Sequence, residues 1–153
     1  MLEQGDAIPD VTLKDADGVD FALHAYRGKP LIVYFYPKAD TPGCTNEAKD
    51  FTALADEYAT AGVPVIGISK DKPAKLKKFA EKYGLTVILA SDEPGVACEA
   101  FGTWVEKSLY GRKYMGIERA TFLVGADGHI LRVWPKVKVK GHAADVLEAV
   151  QAL

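Results

Sequence analysis

The chain of 153 residues contains only two cysteines, Cys44 and Cys98. Two thiols cannot build the disulfide framework that holds small secreted domains together. They form no Cys-x-x-Cys pair either, which excludes a dithiol oxidoreductase of that type. His24, His129 and His142 stand far apart in sequence, with no cysteine–histidine spacing suited to zinc or haem. Glycine-rich phosphate loops of the GxGxxG or Walker kind are missing, so no nucleotide cofactor, and no cofactor of any sort, is expected. No apolar run approaches the roughly 18 residues of a membrane span. The opening Met1-Leu2-Glu3-Gln4-Gly5-Asp6 has no basic region ahead of an apolar stretch, so the cytoplasm is the expected compartment. An excess of one charge is absent too. The formal net charge of −2 gives no general electrostatic case for nucleic acid or an anionic membrane.

What is present is the composition of a globular protein, 48% hydrophobic and 26% charged, with length for a real core. No linker, repeat or low-complexity tract divides it, so one domain over residues 1–153 is expected. Two short runs at 11–14 and 19–23 flank Asp15-Ala16-Asp17-Gly18, a hairpin pattern. Leu31-Ile32-Val33-Tyr34-Phe35-Tyr36 reads as a buried strand that Pro37 ends. Helical spacing follows from 42 to about 60, a strand over 63–69, a helix over 73–83, a strand over 86–90 and a helix over about 93–101 capped by Ser91 or Asp92. A second hairpin is expected around Asp127-Gly128, with strands at 120–124 and 129–134, and a last helix over about 142–152. Alternation in Lys136-Val137-Lys138-Val139-Lys140 reads as an edge strand guarded by lysines, with an anion or partner contact as the alternative. Strand–helix–strand–helix followed by a hairpin and a helix gives an α/β mixed sheet flanked by helices. This is the element order of a thioredoxin-like fold, with an added N-terminal β-hairpin.

Cys44 sits where the strand at 31–36 turns into a helix. Unpaired backbone N–H groups and the positive end of the helix macrodipole both favour thiolate over thiol there. Thiolate is the reactive form. A Thr-Pro-Gly-Cys turn is also polar and solvent-facing, unlike the setting of a core cysteine.

The segment Tyr34-Phe35-Tyr36-Pro37-Lys38-Ala39-Asp40-Thr41-Pro42-Gly43-Cys44 resembles the active-site motif of the peroxiredoxins, and most closely their bacterioferritin-comigratory (Q) class. A second stretch, Tyr110 to Phe122, resembles the part of that class bearing the active-site arginine, which puts that role on Arg119. The resemblance implies a thiol peroxidase that reduces hydrogen peroxide and organic hydroperoxides through a Cys44 sulfenic acid. Cys44 is then the nucleophile, and Arg119 the cation facing sulfur and peroxide. Thr41 would accept the peroxide O–H and donate to the sulfur, or serve as the helix N-cap with Pro42 at the first helical position. Pro37 would shield the sulfur without an N–H of its own, and Gly43 would let substrate approach closely. Glu47, one turn after Cys44, resembles the acid that orients the arginine, or is a solvated helix-face glutamate.

A sulfenic acid must be reduced. In many members of the class the resolving cysteine lies five residues after the first, and here that residue is Lys49. Cys98, spaced helically with Phe101, reads as core-facing, with a resolving role as the alternative. The expectation is therefore a one-cysteine mechanism in a monomer or weak dimer, with thioredoxin, glutaredoxin or glutathione as reductant. A redox-sensing binding module switched by Cys44 oxidation is the reading from another class. Trp104, Tyr110 and Tyr114 either line the approach to Cys44 or serve as core or dimer contacts.

Overall fold

The computed structural model describes residues 1–153. Its site-bearing inner strand is β3 (Leu31–Phe35), every residue of which is buried. That pattern needs cover on both faces of the sheet, as in α/β proteins. β3 pairs in parallel with β4 (Val65–Ser69) and antiparallel with β8 (Ala120–Val124). Beyond β4 lies β5 (Ile88–Ser91), and beyond β8 lies β9 (Ile130–Trp134). The N-terminal hairpin, β1 (Thr12–Lys14) and β2 (Asp20–Ala22), joins the edge of β5. The full order is β2-β1-β5-β4-β3-β8-β9, a mixed seven-stranded sheet with the thioredoxin-like arrangement.

Side-chain alternation along β3 divides the interior in two. Leu31, Val33 and Phe35 face one apolar cluster with Ala97, Cys98 and Phe101 of helix α4 (Val96–Phe101). Ile32, Tyr34 and Tyr36 face the other. That second cluster is closed by α1 (Pro42–Ala53), α2 (Ala55–Thr60), α3 (Pro73–Tyr83) and α5 (His142–Gln151). Burying a side chain the size of Phe35 or Phe51 contributes about 1.5–3 kcal/mol, so each layer carries much of the folding free energy. No helix is long and apolar enough to cross a membrane.

Four expectations need correction. The helix from 42 to 60 is two helices. The amide of Leu54 takes a tighter bond to Phe51, which breaks the ladder. Tyr58 is then turned so that its hydroxyl donates to the Ala143 carbonyl at 2.8 Å. Helix α4 starts at Val96, later than 93, because Gly95 precedes it in the left-handed region. The Asp92 carboxylate still serves its first turn, accepting the Ala97 and Cys98 amides at 3.1 and 2.8 Å.

The segment 136–140 is not a strand. Lys136 has φ +50°, and the Val137 amide donates to the Arg119 carbonyl at 2.9 Å, so the chain leaves the sheet after Trp134. Finally, a separate hairpin, β6 (Trp104–Leu109) and β7 (Arg112–Ile117), fills a stretch to which the sequence reading assigns no element. Its tip, Tyr110-Gly111, has both residues at positive φ, the requirement of a type I′ turn.

Candidate active site

Tyr36 still bonds to the sheet, its amide donating to Ile68 at 3.1 Å, but Pro37 has no N–H to continue the ladder. The chain turns through Lys38–Asp40, with the Ala39 amide held by the Asp71 carboxylate at 2.8 Å and Asp40 at φ +60°. Thr41 occupies the N-cap position in an extended conformation, and Pro42 opens the helix. The first helical bond runs from the Thr45 amide to the Thr41 carbonyl. The Gly43 and Cys44 amides therefore stand ahead of it, at the positive end of the helix.

Cys44 is 2% exposed, which corrects the expectation of a solvent-facing thiol. Its setting is buried among Tyr34, Tyr36, Ala39, Ala48 and Phe51 and yet polar at one point. That point is Arg119, in the two-residue link between β7 and β8. Because Phe35 pairs with Ala120, the end of β3 and the start of β8 lie side by side, and the turn to Cys44 starts next to Arg119. Nη2 of Arg119 donates to the Cys44 sulfur at 3.3 Å, and Nη1 donates to Glu47 Oε1 at 2.6 Å.

Glu47 is 1% exposed, so it is no solvated glutamate but the inner anchor of the guanidinium. Burial pushes its carboxyl up to about 7, while the Arg119 charge pulls the other way. Its second oxygen, Oε2, has no hydrogen-bond partner, which accounts for that cost. The Tyr34 and Tyr36 rings lie 5.6 Å apart in the same layer, and burial keeps both phenols protonated.

Thr41 stands at the N-cap, but its hydroxyl caps nothing. It donates to the Lys38 carbonyl at 2.8 Å, so its proton is not directed at the sulfur and its lone pairs are what it presents. Pro37 is exposed at the rim of the turn. Gly43 also has a different use. A Cβ there would lie 3.3 Å from Nη2 of Arg119, so the glycine makes room for the guanidinium.

Cys98 lies in the other layer, 0% exposed, on the far face of the sheet from Cys44. Burial, more than any neighbour, raises its thiol pKa far above the ordinary value. Both cysteines are free thiols. Trp104 packs against the layer that holds Cys98, with the Lys70 ammonium 4.1 Å above its ring, whereas Tyr110 and Tyr114 are exposed.

One charged neighbour escapes the sequence reading. Lys107, half-buried on β6 opposite Tyr114, has its pKa lowered by burial and by the nearby Arg119 charge. Only recognition of the β6–β7 hairpin would have brought it to the site.

The AhpC/TSA family model matches residues 4–133, and the chain belongs to this family. Within it, the relatives at high identity are peroxiredoxins of the Bcp or Q class. The chain is 48% identical to peroxiredoxin Bcp of Escherichia coli over 146 residues, covering 95% of this chain and 94% of that one. It is 42% identical to peroxiredoxin Bcp of Bacillus subtilis over 150 residues, 98% and 96% of the two chains. Among solved structures, a bacterioferritin comigratory protein of Xanthomonas campestris superposes with a TM-score of 0.89 at 40% identity, covering 96% of this chain and 98% of that one.

Proposed function

We propose that this protein is a thiol peroxidase that reduces hydrogen peroxide and organic hydroperoxides at Cys44. The observation that carries the reading is the bridge made by Arg119, one guanidinium nitrogen on the Cys44 sulfur and the other on the buried Glu47. A group that cannot lose its proton, locked by a carboxylate, offers fixed donors where negative charge develops. The Cys44 thiolate attacks one peroxide oxygen in line. An S–O bond forms, the O–O bond breaks, and the departing oxygen takes a proton to leave as water or an alcohol. Cys44 is oxidised to a sulfenic acid.

Thr41 fits the role of acceptor for the peroxide O–H, since its own proton is spent on Lys38. The Gly43 and Cys44 amides add donors at the helix end, and Pro37 offers no competing N–H at the rim. The relative from Xanthomonas campestris carries the description of alkyl peroxide reduction activity, which supports the same substrate class here.

A one-cysteine cycle is the reading favoured for the second half. Lys49 stands where a resolving cysteine would follow on α1, and a sheet lies between Cys44 and Cys98. Cysteines whose Cα atoms are more than about 7 Å apart cannot bridge without backbone movement. An external thiol, from thioredoxin, glutaredoxin or glutathione, then reduces the sulfenic acid, and the cytoplasm is the compartment that supplies it. The test is mass spectrometry after one equivalent of peroxide. A gain of one oxygen on Cys44, lost in Cys44→Ser, supports the peroxidase. Retained peroxide consumption in Cys44→Ser would overturn it, and a Cys44–Cys98 disulfide would replace the one-cysteine cycle.

A further inference from the structure

We infer that Asp71 is a positioning residue for peroxide reduction: it holds the Lys38–Ala39 peptide so that Thr41 stays an acceptor for the peroxide O–H. The inference rests on the peroxidase reading and on the place given there to Thr41.

Asp71 comes to the reactive turn through the sheet. β3 and β4 run in parallel with Phe35 beside Ile68, so the residues just past both strands meet at one end. Asp71 lies three residues beyond Ile68, and its side chain is only 9% exposed. Its Oδ2 accepts the Ala39 amide at 2.8 Å and the Ser69 hydroxyl at 2.7 Å. Its backbone is tied down as well, the Ser91 hydroxyl of β5 donating to the Asp71 carbonyl at 2.6 Å. Lys75, one turn on, stands 3.3 Å from Oδ1 and balances the charge.

The group that Asp71 grips is one peptide with two uses. Its N–H, from Ala39, donates to Asp71, and its carbonyl, from Lys38, accepts the Thr41 hydroxyl proton at 2.8 Å. A trans peptide unit is planar, so its N–H and C=O point in opposite directions and fixing one fixes the other. A charged acceptor on the N–H also polarises the unit and strengthens the carbonyl as an acceptor. Carboxylate, amide, carbonyl and hydroxyl then stand in line. The last of them keeps its proton turned away from the peroxide.

Losing Asp71 would leave the rest of the turn attached. On one side the Tyr36 amide remains bonded to Ile68. On the other, Asp40 accepts from Lys82 at 3.0 Å and from Tyr83 at 2.5 Å, both at the end of α3. Between these fixed points the peptide can turn about its own axis with little movement of its neighbours. A turned peptide takes the Lys38 carbonyl out of reach, and the Thr41 hydroxyl becomes a free donor. The peroxide O–H then has no fixed acceptor, while the Arg119 bonds to Cys44 and Glu47 are untouched.

Two reactions of Cys44 separate this role from a loss of structure. Oxidation by hydrogen peroxide uses an acceptor for the O–H, whereas alkylation by iodoacetamide needs only an accessible thiolate. Rate constants for both are measured by quenched-flow mass spectrometry in the wild type, Asp71→Ala, Thr41→Val and the double variant. Asp71→Ala should slow oxidation about tenfold and leave alkylation within about twofold of the wild type. On the Thr41→Val background, already slow with peroxide, Asp71→Ala should add no more than about twofold. Asp71→Asn, whose side-chain oxygen can still accept the Ala39 N–H, should recover most of the rate. Ser69→Ala frees the carboxylate without touching the turn and should give a smaller loss of the same kind, so the idea stays testable if Asp71→Ala folds poorly. Unchanged oxidation in Asp71→Ala, an equal change in both reactions, or a loss just as large without the Thr41 hydroxyl would overturn the inference. So would a wild-type oxidation rate in Thr41→Val. A wild-type chain whose Cys44 gains no oxygen from peroxide would instead sink the peroxidase reading, and the inference with it.

Discussion

Gly43 and Arg119 are fitted to one another: the Cβ that any other residue would bring to position 43 lies 3.3 Å from Nη2, the same nitrogen that donates to the Cys44 sulfur. The distance is tight enough that either the guanidinium or the helix end must give. Gly43→Ala should therefore slow the reaction with peroxide while leaving the fold in place, since alanine is the better helix former. A loss of about tenfold is expected, the effect of a small misplacement of a reacting group. Stopped-flow kinetics with hydrogen peroxide measures it, and an unchanged rate would mean that Arg119 holds no critical position.

Arg119→Ala should cost more. Removing one preorganised donor of this kind typically slows a reaction by about 10²–10³-fold. Arg119→Lys should recover little, because a single ammonium cannot span Glu47 and Cys44 at once. The measurement is the second-order rate constant with peroxide in both variants; full activity in Arg119→Lys would show that charge alone suffices.

Cys98→Ala tests the division between the two thiols. The side chain is fully buried, so truncation should lower stability by roughly 1–2 kcal/mol through lost packing. Turnover with an external thiol should persist. Denaturant melts read the first effect and steady-state peroxide consumption the second.

Two buried groups should give pH slopes of opposite sign over nearly the same window. His142, bonded to Thr121 at 2.8 Å, is lowered by burial from 6.5 to about 4 in the folded chain. The unfolded state binds more protons between those values, so this group makes stability fall as pH drops from about 6.5 to 4. Glu47 is raised from 4.5 to about 7, so the folded state binds more protons, and its contribution is lost as pH rises through 7. His142→Gln should flatten the acid side of the stability curve. Glu47→Gln should remove the opposing slope and leave stability rising more steeply between about pH 4.5 and 7. Melting temperatures across that range check both signs.

The strand at 31–36 and the thiol at the helix start were legible because each rests on local pattern, an apolar run, a proline stop and a turn into helical spacing, whereas Arg119 was reached only through the resemblance of its stretch to a known family. Burial was harder to read. Glu47 has the same spacing from Cys44 whether it faces water or the guanidinium, and only the placement of β8 decides. The β6–β7 hairpin was hidden because its I′ turn uses Tyr110, a residue that rarely takes positive φ, where Asn or Gly would have announced it. Lys136–Lys140 misled for the opposite reason. Its alternation is that of a strand, but the bond from Val137 to the Arg119 carbonyl diverts the chain from the sheet.

The two-sided core leaves the chain with a built-in pair of clocks. Cys44, at the surface end of its layer, becomes open to an alkylating reagent whenever the turn at 37–43 loosens. Cys98, on the face of α4 that packs against β3, becomes open only when that helix and the sheet come apart. Labelling rates at the two thiols thus time different events in one molecule, local breathing of the reactive turn and global unfolding, without any foreign probe.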